Sequence, residues 1–172
     1  MIKKIEIPTY SLLHTCFAKQ DYADAFRFEV DKPSLTIEEV VESFFSTTPK
    51  WIIWLMNFRD WIAQFLKLKT QKQMERPEFH QIQLTPGTQL GIFEIMKKTD
   101  REVIMGADDT HLNFRVSILI EPQSEQRTAI VVSTIVEIHN WIGQFYFGIV
   151  KYFHYFVVKS LCRTMQRHLN KR

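Results

Sequence analysis

Apolar residues recur along this chain with different periods, and each change of period marks an element. Alternation comes first: in Asp21–Val30 the side chains of Phe26, Phe28 and Val30 share one side of an extended segment, and Asp31-Lys32-Pro33-Ser34 breaks it. Residues 1–20 before it read as an extended lead-in, with Ile5-Glu6-Ile7-Pro8 as a short edge segment. The period then lengthens. Thr36 is an N-cap with Glu39 three residues on, the capping-box spacing, and Val40, Val41, Phe44 and Phe45 follow as the apolar face of a first helix. Pro49 suits the first turn of a second helix reaching about Phe65, with Trp51, Ile52, Leu55, Met56, Phe58, Ile62 and Phe65 on its apolar side. Residues 67–87 are polar, contain Pro77, Pro86 and Gly87, and read as a connection.

Strand texture returns from Thr88. Gln89–Lys97, Glu102–Ala107, His111–Ile120 and Thr128–Ile138 are separated by short joints, the longest being Glu121–Gln126, which predicts an antiparallel meander. On the third of these strands Leu112, Phe114, Val116, Ile118 and Ile120 face one way, and His111, Asn113, Arg115 and Ser117 the other, as in a sheet with one wet or polar face. Asn140 then caps a helix that runs from Trp141 nearly to the end. Ile142, Phe145, Ile149, Phe153, Phe156 or Val157, and Leu161 form its expected packing stripe, and Phe147, His154, Tyr155 and Val158 widen the apolar surface beyond one sheet contact. The expected fold class is α+β, one domain over residues 1–172, with a curved antiparallel sheet against a long C-terminal helix and two shorter helices in the N-terminal half.

Composition changes this picture at one point. Aromatic residues make up 13% of the chain, enough for a thick core or the wall of an apolar pocket. The formal charge of +3 is mild. Basic residues gather at Lys67, Lys69, Lys72 and Arg76 and again at Lys159, Arg163, Arg167, Lys171 and Arg172. The second group complements a helix C-terminus, and no nucleic-acid motif accompanies either. Two cysteines, Cys16 and Cys162, lack metal-ligand spacing and fit free thiols in a reducing compartment, so a cytoplasmic protein is expected. No stretch has the roughly 20 apolar residues of a membrane span: Ile142–Val158 is interrupted by Gln144, Lys151 and His154.

Three collinear blocks carry a resemblance over about Asp21–Leu169: residues 49–60 (Pro-Lys-Trp-Ile-Ile-Trp-Leu-Met-Asn-Phe-Arg-Asp), residues 106–115 (Gly-Ala-Asp-Asp-Thr-His-Leu-Asn-Phe-Arg), and residues 139–147 (His-Asn-Trp-Ile-Gly-Gln-Phe-Tyr-Phe) continuing to Lys151-Tyr152-Phe153-His154. They resemble a mostly bacterial family carried as a domain of unknown function, itself similar to the START and polyketide-cyclase-like superfamily. The resemblance implies a helix-grip domain over residues 21–169, with an apolar cavity between sheet and helix, and it implies no established reaction. The family pattern would place a basic residue near Gln144 and a proline near Tyr152. Without that proline the last helix should run straighter, and without the basic residue an anionic ligand is less favoured.

Candidate chemistry is sparse. Asp108-Asp109-Thr110-His111 offers metal-type donors, but an Asp-rich joint between strands is what turn chemistry prefers. His111, His139 and His154 lack the compact ligand spacing of a zinc site, so no metal and no cofactor are expected. No Gly-x-Ser-x-Gly elbow or phosphate-binding glycine loop occurs. The function expected is binding of a small apolar molecule, with Tyr146, Phe147 and His154 contributed by the last helix and Arg59 as a polar anchor unless Glu94 or Glu137 pairs with it. The alternatives are a cyclase- or dehydratase-like enzyme using His154 or His139 as general base, and an interaction module that forms a homodimer through the apolar helix face.

Overall fold

The computed structural model describes residues 1–52, 84–124 and 126–171. Seven strands form one antiparallel sheet: β1 (Lys3–Ile5), β2 (Tyr22–Val30), β3 (Gln89–Leu90), β4 (Phe93–Lys98), β5 (Glu102–Asp108), β6 (Leu112–Ser124) and β7 (Arg127–Ile138). Their order is β1-β2-β7-β6-β5-β4-β3, so the meander from β3 to β7 closes onto β2 from the opposite end of the chain. Helix α1 (Ile37–Ser46) and the long helix α2 (Trp141–Leu169) lie against one face. The α+β architecture expected from periodicity is the one observed, and α2 runs as one helix over Trp141–Leu169.

Local chemistry explains the element ends. The Thr36 hydroxyl accepts from the Glu39 amide while the Glu39 carboxylate accepts from the Thr36 amide, a complete capping box. Asn140 caps α2 through Gly143, and its side-chain amide also donates to the Thr110 carbonyl. Replacing Asn140 by alanine is expected to cost about 1 kcal/mol, read as a lower thermal midpoint. The run expected as one strand from Gln89 to Lys97 is two, separated by a turn in which Gly91 takes φ 62°. The joint at Glu121–Gln126 is shorter than expected because β6 continues through Pro122 to Ser124, accommodated by a register shift between those two residues.

The main core lies between the sheet and the helices. Phe26, Phe28 and Val30 from β2, Met105, Ile118 and Ile130 from the meander, and Leu161, Cys162 and Met165 from α2 are all buried in it. The face that α2 turns to the sheet differs from expectation. Gly143, Phe147, Val158, Leu161, Cys162, Met165 and Leu169 are buried, whereas Phe145, Phe153 and Phe156 are 60%, 50% and 65% exposed. The first turns of α2 are apolar nearly all round, so period alone does not choose the face. The choice falls to Gly143, whose missing side chain lets the helix close on the His111 carbonyl.

The other side of the sheet, expected to be wet or polar, is partly covered by the N-terminal segment. The lead-in is extended only at β1. It then makes a 3-10 turn (Leu12–Thr15), whose Leu13 is fully buried against Ile104 and Ile135. Burial of that one side chain contributes about 2 kcal/mol. Ile5 and Ile7 cover Ala25, Leu119 and Val131 farther along. Ser117 is therefore buried, and Arg115, beside it on the same face, stacks 4.8 Å above the Phe17 ring and pairs with Asp108 at 2.7 Å. Under the 3-10 turn the buried Glu102 carboxylate accepts from the Ser11 and Ser117 hydroxyls, each at 2.6 Å, and from the Leu12 amide at 2.9 Å. Residues 50–52 are helical and Ile52 joins the core, in line with a second helix after Pro49. The rest of that expected helix, Arg59, the first basic group and most of the connection lie outside the described residues.

Candidate functional site

On the helix-facing side of β2, alternation brings Tyr22 and Asp24 into line with the core residues Phe26, Phe28 and Val30. Asp24 is a carboxylate on an otherwise apolar surface, and it is 4% exposed. Its Oδ2 accepts from the Tyr22 hydroxyl at 2.7 Å and lies 3.3 Å from His154 Nε2 on α2. A carboxylate accepts and does not donate, so Nε2 carries the proton and Nδ1 is left facing away from Asp24. The edges of the ring stack are shared: Tyr22 meets His154 at 5.5 Å between centroids and Phe147 at 5.0 Å, both edge-to-face. Directly across the β2–β7 ladder from Asp24 stands Thr134, itself buried, with a hydroxyl that has no hydrogen-bond partner among the described residues.

This cluster lies between β2 and the middle of α2. Towards the C-terminus of α2 the interface is filled by Val158, Leu161, Cys162 and Met165. Towards its N-terminus Phe147 and Gly143 are the fully buried positions, and His154 keeps 17% of its side chain accessible. A second aromatic group, Phe44, Phe45, Phe93 and Phe114 in edge-to-face contact, lines the same side of the sheet beneath α1. The arrangement offers a carboxylate held by a phenol and an imidazole, with a hydroxyl that has no partner among the described residues, set in aromatic surroundings.

Electrostatics keep the Tyr22 phenol and the Cys162 thiol protonated. Burial, then the hydrogen bond to Asp24, holds the Tyr22 phenol well above the usual range. Burial pushes the Cys162 thiol up to about 12, and the Asp24 charge acts in the same direction. Both groups hold their protons more tightly folded than unfolded. Their contribution to stability is thus complete below about pH 8.5 for the thiol and pH 10 for the phenol, and is lost as pH rises through the folded values. Urea midpoints are expected to fall above pH 9, and less steeply for Cys162→Ala. At pH 8 iodoacetamide should modify Cys16 slowly, since burial also raises that thiol, and Cys162 after unfolding; mass spectrometry of the labelled peptides reads both.

The residues expected from sequence fall in different places. Phe147 is buried against Tyr22, Tyr146 is half-buried one position before it, and His154 meets Asp24. The three histidines do not converge. His111 Nδ1 lies 3.1 Å from the Asn140 side chain, and His139 lies 3.6 Å from Glu137 at the start of the helix. The Asp108–His111 joint is a turn: the Asp109 carboxylate accepts from the amide and hydroxyl of Thr110. Among the described residues no group of three or more His, Cys, Asp or Glu side chains is placed to hold a metal ion, and no described helix is long and apolar enough to cross a membrane. Tyr22, Asp24 and Thr134 were missed. Extending the Phe26–Phe28–Val30 alternation back by one step places Asp24 on the core face, and by two places Tyr22 there, which is the signal that would have found them.

A family model described as "Protein of unknown function (DUF2867)" matches residues 16–161. The chain belongs to that family. The DUF2867 match takes in every member of the Tyr22–Asp24–Thr134–His154 cluster, together with Phe147 and Arg115, and starts after most of the N-terminal cover. Among solved structures, a conserved protein from Geobacillus kaustophilus is similar over 87% of this chain and 96% of its own, at 14% identity and a TM-score of 0.38. No curated protein matches the chain.

Proposed function

We propose that this DUF2867 chain binds a small apolar molecule between the sheet and the first half of α2, in the manner of START and polyketide-cyclase-like helix-grip domains. One observation carries the reading: a buried carboxylate, Asp24, fixes an imidazole on an aromatic surface between the sheet and α2. A core that needed only packing would not retain a carboxylate there, because desolvating it costs several kcal/mol that an apolar residue of similar size avoids. Ligand sites have this composition, mostly aromatic walls with a few placed polar groups. Phe147, Tyr146 and His154 contribute from α2, Tyr22 from β2, and Arg59 is kept as a candidate anchor. Free thiols at Cys16 and Cys162 support a cytoplasmic setting.

The test is direct binding. Naphthalene and 2-methoxynaphthalene titrated into the purified chain should quench tyrosine and tryptophan emission saturably, and Phe147→Ala should weaken both. Absence of saturable binding by either probe counts against the reading. The enzymatic alternative, with His154 as general base, is favoured by the same Asp24–Nε2 contact, which is the orientation such a base requires. His139 has no comparable setting, since its ring pairs with the partly exposed Glu137.

A further inference from the structure

We propose that the outward face of α2 is a docking surface for an anionic membrane, which it meets without crossing. At about 100° per residue, Trp141, Phe145, Ile149, Tyr152, Phe153 and Phe156 share one arc about 120° wide, opposite the buried Gly143, Phe147, Val158 and Leu161. Trp141 is 75% and Tyr152 71% exposed, and the six together leave roughly 600 Å² of side chain open. An apolar patch of that size marks an interaction site more often than a bare surface. The same arc continues through Lys159, Arg163 and Arg167, and both arginines are exposed. One face of one helix is thus aromatic for roughly its first four turns and basic for the rest.

Charge selects the occupant. All 19 Asp and Glu lie at or before Glu137, whereas residues 138–172 hold six of the 22 Lys and Arg and no acid, leaving 16 basic against 19 acidic residues elsewhere. The positive charge of the protein is therefore gathered on α2 and its end. Lys4 on the edge strand β1 adds to it. The hydrogen bond from Lys159 at 3.0 Å, with the charges of Lys159, Lys4 and Arg163, holds the Tyr155 phenol below its usual range. Glu29 and Asp31, beside the C-terminus of α2, pair with Arg27 and Arg127, and Glu137, before its N-terminus, lies 3.6 Å from His139. A second copy docked through α2 would set two positive faces together, which electrostatic complementarity opposes. Nucleic acid is gripped where basic groups and stacking rings share one groove, but here the two kinds follow each other end to end. That order suits a membrane boundary: aromatic rings, Trp and Tyr above all, enter the layer between headgroups and acyl chains, and cations stay among anionic headgroups. No described helix is apolar enough to go farther.

Sedimentation with vesicles tests this. The purified chain is expected to bind vesicles containing about one-third phosphatidylglycerol roughly tenfold more tightly than vesicles of phosphatidylcholine alone, and less tightly as salt is raised. Arg163→Glu with Arg167→Glu should remove that preference. Phe145→Ser with Phe156→Ser should weaken binding to the anionic vesicles by roughly tenfold. A thiol introduced by Tyr152→Cys should react quickly with a maleimide in buffer and slowly once anionic vesicles are added, which reads the same contact without changing charge should either pair fail to fold. Absence of binding to anionic vesicles, equal binding to both kinds, or binding that both pairs leave unchanged would overturn the proposal. A thiol already protected in buffer would overturn it as well: the face is then covered by residues 53–83 if light scattering gives a monomer, and by a second copy if it gives a dimer. The naphthalene titrations read the inner side of α2, so the ligand reading stands or falls separately.

Discussion

Replacing Glu102 by leucine is expected to lower the unfolding free energy by about 3 kcal/mol and to loosen the N-terminal segment from the sheet. The Glu102 carboxylate sits beneath the 3-10 turn with three donors aimed at it, two hydroxyls on Oε1 and the Leu12 amide on Oε2. Leucine has similar bulk but leaves all three donors without an acceptor. Urea unfolding measures the total, and hydrogen exchange at the Leu12 and Leu13 amides locates it. Glutamine should fall between the two: its oxygen still accepts from Ser11 and Ser117, but its amide meets the Leu12 N–H donor to donor. Adding Ser11→Ala and Ser117→Ala to Glu102→Leu should recover most of the loss, because apolar groups then replace both sides of the contact. Unchanged exchange at Leu12 and Leu13 in the leucine variant would show that the carboxylate does not hold the segment.

A second large effect is expected at Gly143, where two opposing terms can be weighed. Alanine in place of a helical glycine ordinarily gains about 1 kcal/mol. Here the new Cβ would lie 2.2 Å from the His111 carbonyl oxygen, and that oxygen already accepts from the His139 amide at 2.9 Å. Backbone on both sides leaves little room to give, and overpacking of this kind costs roughly 1–3 kcal/mol and more when no side chain can turn away. The net expectation is a loss of about 2 kcal/mol, with weaker packing of the α2 N-terminus on the β6–β7 end of the sheet. Gly148, five residues along the same helix, is the control: nothing lies within 4 Å of its Cβ position, so Gly148→Ala should stabilise by up to about 1 kcal/mol. Thermal melts of the two variants moving in the same direction would contradict this account.

These two positions mark the boundary of what could be read from sequence. The strands were legible because a half-buried strand writes its burial in every second residue, and α1 because Thr36 and Glu39 announce its start. The orientation of α2 was not, since Phe145, Ile149, Phe153 and Phe156 are as apolar as the residues that face the sheet. The close approach at Gly143 and the pairing of His154 with Asp24 mark the buried side, and both depend on partners remote in sequence. The same applies to the far face of the sheet. Arg115 and Ser117 look solvated until Phe17 and Leu13 are placed over them. Asp24 was within reach, because it continues an alternation already recognised, but one acidic residue at the start of a strand draws no notice until its partner on the helix is known.

The pairing of β2 with β7, Tyr22 opposite Val136 and Val30 opposite Thr128, also sets the order in which the chain can assemble. On the ribosome β2 emerges first and waits for a partner synthesised about a hundred residues later. During that interval Phe26, Phe28 and Val30 sit on a strand with an open edge, which is the condition under which nascent chains associate wrongly. The meander β3–β7 needs no such wait, since each strand meets its neighbour as it appears. Docking β2 is then a long-range closure, and non-local pairings of this kind generally slow folding. Because Asp24 lies on β2 and His154 on the last helix, the candidate site cannot exist before that closure is complete.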